Sequence, residues 1–214
     1  MSPLRFYYTK LSQASVLLPI IAGIRYYKRL NPAFRIFFYF FFLAAGAEWA
    51  STNSLKIYHS ENNMPVGHCF FLAEFLVFSL MYCWHYREKK IIRLLTGINT
   101  LAGIGLILAG IWKTGIWGYP TLGRSYSAAS ITVYALSYLF FLFKDIRQDG
   151  KGEPMFWVSI GALAYFGSNI FYFLFSAYLL DKAVFIEAAG WLVHGALNII
   201  AHWLYAKAFI CFRK

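Results

Sequence analysis

Two glutamates, Glu48 and Glu74, lie inside long runs of apolar residues, where an ionisable side chain is costly and usually has a function. A buried carboxyl group can hold a proton, pair with a cation or join a metal site. His194 lies in another apolar run, and an imidazole can change its charge near neutral pH. These three side chains together predict a buried site that responds to a proton or a ligand.

Polar residues in the last two apolar runs recur with the period of an α-helix. In the last run they are Glu187, Trp191, His194, Asn198 and His202, at intervals of four, three, four and four. At 100° per residue, this spacing confines them to one arc of roughly 80°. The preceding run carries Tyr165, Asn169, Tyr172 and Ser176 in the same way. Such stripes should face the protein interior, because lipid cannot hydrogen-bond to them.

The two glutamates are expected at one depth. Glu48 lies about seven residues before the outer end of its predicted helix, and Glu74 about eight residues after the outer start of the next. With a helical rise of about 1.5 Å per residue, both lie roughly 10–12 Å below the outer surface. Asn169 and His194 fall near the same level. The predicted ligand-binding residues are Glu48, Glu74, Asn169, Tyr172, Trp191, His194 and Asn198.

In this prediction, Glu48 and Glu74 hold charge or protons, His194 is their pH-sensitive partner, and the two asparagines orient the site. The alternative is that the asparagines and His194 only bond between helices and fix their packing, at about 0.6–2 kcal/mol per contact. The sequence leaves both interpretations open.

The elements that must position these residues are apolar stretches that fill almost all of the 214-residue chain, which is 60% hydrophobic and only 14% charged. About twenty apolar residues in a helix cross the hydrocarbon core of a membrane. The fold class is therefore all-α, a single polytopic membrane bundle over residues 1–214 with seven transmembrane helices. The predicted spans are Pro3–Ile24, Ile36–Leu55, Val66–Tyr86, Leu94–Trp117, Ser127–Phe143, Pro154–Leu180 and Val184–Phe212.

The lysines and arginines predict the orientation of the bundle. Fourteen of them fall in the tail and in the loops after the first, third and fifth spans, against six on the other side. The basic excess marks the cytoplasmic face, so the amino terminus is expected outside and the carboxyl terminus in the cytoplasm. The net charge of +11 does not indicate a nucleic-acid partner, because the basic residues lie at helix ends rather than along one stripe. The expected partner there is the lipid bilayer.

The residues of the last span bear on two known classes of seven-helix membrane protein. A retinal protein is excluded, because His194 to Asn198 occupy the middle of the helix where a lysine is needed. Seven helices with an external amino terminus also resemble the zinc-dependent membrane hydrolases that include alkaline ceramidases and adiponectin-receptor-like proteins. Their last helix carries His-x-x-x-His, whereas His194 and His202 are eight residues apart. Glu48, Glu74 and His194 could hold a metal only if they converge, so no metal or other cofactor is predicted.

The pattern Trp191-x-x-His194-x-x-x-Asn198, with the preceding Phe156–Tyr172 helix, resembles uncharacterised bacterial seven-helix proteins and the membrane domains of sensor kinases. The resemblance implies a sensory or signalling component of the bacterial cytoplasmic membrane. Because the chain stops at Lys214 without a kinase domain, it would act through a separate cytoplasmic partner and respond to a small-molecule ligand. A membrane-embedded metal-dependent hydrolase and a small-solute or proton-coupled transporter are the alternatives, so enzymatic activity stays open.

Overall fold

The computed structural model describes residues 3–57, 62–144, 152–174 and 184–213, with side chains over 7–53, 62–144, 152–174 and 192–213. Within these ranges the regular structure is helical and contains no strand. Among the described residues, six helices are long and apolar enough to cross a membrane, as an integral membrane protein requires, where the sequence predicted seven spans. These candidate spans are Pro32–Asn53, Met64–His85, Lys90–Thr114, Thr121–Lys144, Pro154–Leu174 and Leu192–Arg213.

The first predicted span consists of two shorter helices, α1 (Pro3–Ala14) and α2 (Leu17–Tyr26), of 12 and 10 residues. Pro19 explains the interruption, because it has no N–H to donate to the carbonyl of Ser15. That carbonyl instead accepts a hydrogen bond of 3.0 Å from the N–H of Leu18. Neither helix alone has the length of a membrane span.

The other helices begin and end within a few residues of the prediction, with one exception. They are α3 (Pro32–Ile57), α4 (Met64–His85), α5 (Lys90–Thr114), α6 (Thr121–Lys144), α7 (Pro154–Ala162) and α8 (Val184–Ile210). A π-helical turn, Leu163–Gly167, follows α7, and the helix then continues to residue 174. The exception is α6, which starts six residues before the predicted Ser127 and therefore includes Arg124. Residues 175–180, the predicted end of the sixth span, lie outside the described residues.

The helices pack as a closed ring. Contacts run from α2 to α3, and onward through α4, α5, α6, α7 and α8 back to α2, while α1 lies against α8. Phe37 and Phe41 of α3 are buried and contact each other and Phe209 of α8, and Phe37 also contacts Phe78 of α4. The ring therefore encloses an interior that can hold polar side chains away from lipid.

Glycines bring α5 close to its two neighbours, α4 and α6. A β-carbon on Gly103 would lie 2.4 Å from the ring of Phe75, whereas one on Gly97 or Gly105 would have no described neighbour within 4 Å. The closest backbone approach is at Gly123 of α6, where a β-carbon would lie 2.6 Å from Cα of Ile107. Gly97 and Gly105 therefore do not lie at a close approach to another described helix.

Gly123→Ala is expected to destabilise the protein by about 1–3 kcal/mol, because the α5 backbone cannot move aside as a flexible side chain could. The matched control is Gly105→Ala, which should be neutral or stabilising by up to about 1 kcal/mol, because alanine favours the helix. Thermal unfolding of both variants in detergent measures the difference. Equal stability of the two variants would contradict the close approach of α5 and α6.

Candidate functional site

A cavity of about 370 Å³ lies inside the ring, bounded by the α1–α2 segment and by α3, α4, α6, α8 and the span that contains α7. Five predicted site residues line it: Glu48, Glu74, Tyr172, His194 and Asn198. Asn169 lies behind the wall and is hydrogen-bonded to His194. The side chain of Trp191 lies outside the described residues. The structure thus brings residues from four predicted helices to one cavity, while their role in binding a ligand stays a prediction.

The cavity wall contains a buried ion pair between Glu74 of α4 and Arg124 of α6. Only 4% of Glu74 and 1% of Arg124 is exposed. The guanidinium lies between the rings of Phe71 and Phe173, 4.3 Å from each centroid. Its Nε atom finds no hydrogen-bond partner among the described residues. Charge and aromatic contacts, both strengthened away from water, therefore hold the arginine against the cavity.

Sequence reasoning missed Arg124, which it placed before the start of the fifth span as a charge outside the membrane. A signal was present, because a carboxylate at membrane depth needs a cation and arginine is the basic residue best suited to buried pairs. Of the six basic residues expected on that side, only Arg5 and Arg124 are arginines. Extending the predicted helix by two turns would have placed Arg124 inside the span, where it could pair with Glu74.

Hydrogen bonds determine which nitrogen of His194 carries the proton when the ring is neutral. The amide nitrogen of Asn169 donates to the carbonyl of Tyr165 at 2.7 Å, so the amide oxygen faces His194. This oxygen lies 3.1 Å from Nδ1 of His194 and can only accept. Nδ1 therefore carries the hydrogen, and Nε2 keeps a lone pair, with the hydroxyl of Tyr165 at 3.5 Å. Tyr165 lies in the π-helical turn, so this irregular backbone helps to position the imidazole.

Glu48 of α3 has a different partner on α1. The side-chain amide of Gln13 donates to the Glu48 carboxylate and to the hydroxyl of Thr52, at 3.1 Å each. Lys10 in turn donates to the Gln13 oxygen at 3.2 Å. Gln13 also lines the cavity, so α1, the first part of the first predicted span, contributes a polar residue to the site.

The deep end of the cavity contains His202, the last residue of the polar stripe predicted on the final span. His202 is 8% exposed, and its Nδ1 lies 2.7 Å from the hydroxyl oxygen of Ser15. The Ser15 hydroxyl donates its hydrogen to the carbonyl of Ser12 at 2.6 Å, because a carbonyl can only accept. The Ser15 oxygen therefore accepts the hydrogen of Nδ1 of His202. His202 therefore faces the protein interior, because the α1–α2 segment covers this part of α8.

Glu48, Glu74 and His194 have separate partners: Gln13, Arg124 and Asn169. Within the part of the chain that the structure describes, no group of three or more His, Cys, Asp or Glu residues is placed to hold a metal ion. The convergence that a three-ligand hydrolase requires is not found there. The arrangement instead offers separate hydrogen-bond donors and acceptors around an aromatic cavity, as in a site for a small molecule.

Comparisons with family models, with curated proteins and with solved structures find no match to this chain. The resemblance to the membrane domains of sensor kinases therefore stays a prediction. The functional argument rests on the cavity and its residues.

Proposed function

We propose that this protein is a seven-span sensory component of a bacterial cytoplasmic membrane, which binds a small organic cation from outside and signals to a cytoplasmic partner. The observation that carries the proposal is the cavity between the helices, whose described lining has one carboxylate in excess. Six spans are helices of sufficient length. The seventh would be α1 and α2 together, because residues 3–26 of helix reach roughly 36 Å at 1.5 Å per residue.

Charge in the cavity favours a cationic ligand. Among the described side chains, three charged residues line it, and Glu74 and Arg124 neutralise each other as a pair. Glu48 remains: its direct hydrogen-bond partner is the neutral amide of Gln13, and the positive charge of Lys10 acts on it only from beyond that amide. The chain as a whole is basic, with a net charge of +11, so the negative charge at the cavity does not follow from the overall composition. An ammonium group could pair with this carboxylate. The attraction between the two charges would offset part of the free-energy cost of removing them from water.

The shape and surface of the cavity favour an organic rather than an inorganic ion. Its volume of about 370 Å³ is sufficient for a small molecule. Aromatic rings form much of its wall, including Phe40, Phe70 and Tyr172. Ring faces attract ammonium groups and also pack against apolar carbon. A ligand with a cationic head and an apolar body would therefore match the lining.

The last helix, α8, connects the cavity to the basic end of the bundle. It carries His194 and His202 in the cavity and Lys207 near its other end. Phe209 of α8 packs on Phe34 and Phe37 of α3. A ligand that binds one packing of α8 better than another would shift the population of both ends. This is the proposed route from ligand to partner.

Binding of benzyltrimethylammonium to the purified protein tests the ligand class, with benzoate as its anionic counterpart. We expect the cation to bind more tightly than benzoate, and Glu48→Gln to weaken its binding by roughly 10–100-fold, because a charge-assisted contact contributes about 1.5–3 kcal/mol. Isothermal titration calorimetry in neutral detergent gives both affinities. Glu88→Gln, which removes an exposed carboxylate outside the cavity, is the matched control. Preferential binding of benzoate, or an unchanged affinity in Glu48→Gln, would contradict the proposal.

Transport of the same class of solute is a second candidate, supported by the backbone of the site. The α1–α2 break and the π-helical turn both contribute cavity residues, namely Gln13 and Val16 from the first and Tyr165 and Phe166 from the second. Irregular helices beside a central cavity are typical of transporters. Uptake of the cation into proteoliposomes would favour transport. Binding without uptake would favour a sensor.

A further inference from the structure

A second groove lies at the basic end of the bundle, between α3, α4 and the start of α5. Its volume is about 300 Å³, and it shares no lining residue with the central cavity. Ile36 of α3 and Leu80 and Trp84 of α4 form part of its wall, and 45%, 51% and 41% of these side chains is exposed. Exposed apolar side chains on a membrane-spanning helix face the acyl chains of lipids. The groove is therefore open to the bilayer along its side.

Two arginines close the groove at the end where α4 finishes. Arg87 follows α4, and Arg93 lies in the first turns of α5. The guanidinium of Arg93 donates to the carbonyl of Arg87 at 3.4 Å, while that of Arg87 lies 5.6 Å from the ring of Trp84. Neither arginine has a carboxylate ion-pair partner among the described residues. Both charges are therefore available to an anion at the mouth of the groove.

We propose that this groove binds one anionic phospholipid. Arg87 and Arg93 hold its phosphate, and an acyl chain lies along Ile36, Leu80 and Trp84. Arginine suits phosphate because its planar fork can donate two parallel hydrogen bonds. Basic pockets between helices at the cytoplasmic face are suited to anionic headgroups. The proposal needs the protein to lie in a membrane, but it does not depend on what the central cavity binds.

Charge also argues against a second copy of the chain in this groove. A symmetric dimer would bring two pairs of arginines together across the interface, and residues 87–93 carry four basic side chains against one glutamate. Such like charges repel without a counter-ion. Free phosphate could contact the arginines, but it would leave the apolar wall uncovered. A phospholipid satisfies both parts of the groove.

Native mass spectrometry of the protein in neutral detergent tests the site with phosphatidylglycerol and phosphatidylcholine of identical acyl chains. We expect one phosphatidylglycerol to remain bound to the wild type, and its affinity to fall at least tenfold in Arg87→Gln/Arg93→Gln. The matched control is Lys28→Gln/Lys144→Gln, which removes two charges outside the groove at the same end and should retain the lipid. Melting temperatures of both double variants show whether they are folded.

Four results would overturn the assignment. Equal retention of the two lipids would show that the headgroup charge is not recognised. An equal loss in the control variant would show a general attraction to the basic end rather than a site. Glycerol 3-phosphate, which has the phosphate without acyl chains, should compete only weakly. Full competition by it at equal concentration would identify a free-anion site, and a dimer formed on removal of the lipid would identify a second copy as the occupant.

Discussion

Arg124→Met is expected to destabilise the protein by about 3–5 kcal/mol, because it leaves Glu74 buried without its counter-ion. Glu74 and Arg124 are both nearly inaccessible to water, so solvent cannot replace the lost contact. The substitution also removes the cation between the rings of Phe71 and Phe173. Unfolding of the purified protein in mixed detergent micelles, followed by tryptophan fluorescence, measures the change in the free energy of unfolding.

Two further variants separate the ion pair from the loss of a positive charge. Lys113→Met removes an exposed basic side chain at the end of α5 and should change stability by less than about 1 kcal/mol. Glu74→Leu/Arg124→Met replaces both partners with apolar groups and should recover much of the stability that the single variant loses. Glu74→Leu is measured alone to complete the comparison. If the double variant lost as much stability as Glu74→Leu and Arg124→Met together, the two charges would not act as a pair.

Phe37→Ala is expected to destabilise the protein by about 3–5 kcal/mol, because it leaves a cavity in the packed interior between the helices. Phe37 is fully buried, and its ring lies 4.9 Å from that of Phe41, 5.5 Å from Phe78 and 5.3 Å from Tyr205. Lipid is as apolar as these rings, so the loss is one of packing contacts rather than of burial from water. The same unfolding measurement gives the difference.

The matched control is Phe42→Ala in the same helix. Phe42 is 47% exposed, so lipid can fill much of the space that its ring leaves. We expect this variant to lose clearly less stability than Phe37→Ala. Equal losses would mean that the two faces of α3 do not differ in packing, and the position of α3 in the ring would be wrong.

The ion pair also limits how the cavity can respond to a ligand. Arg124 is held by Glu74 from α4 and by aromatic rings on either side, so it is a poor candidate for a mobile group. Glu48 has a neutral partner on the short helix α1, next to the break at Ser15. A cation at Glu48 would compete with Gln13 for the carboxylate. We therefore expect movement to begin at α1 rather than at the ion pair.

Several features could be predicted from the sequence because they follow from the membrane itself. Long apolar runs must be helical there, since only a helix satisfies its own backbone. Polar residues inside such runs are costly in contact with lipid, so their helical period indicated an inward face. This reasoning placed His194 and Asn198 on one stripe, and both line the same cavity as Glu48 and Glu74. The ligand and the orientation in the membrane stay predictions.

Other features were decided only by the tertiary structure. The sequence could not show that Phe37 is buried while Phe42 is exposed, or that Gly123 rather than Gly105 contacts a neighbouring helix. It also could not show that Arg124 lies inside the bundle beside Glu74. The physical reason is the same in each case. Lipid and protein interior are both apolar, so hydropathy identifies a span but not its inner face, and the partner of a buried charge depends on which helices meet.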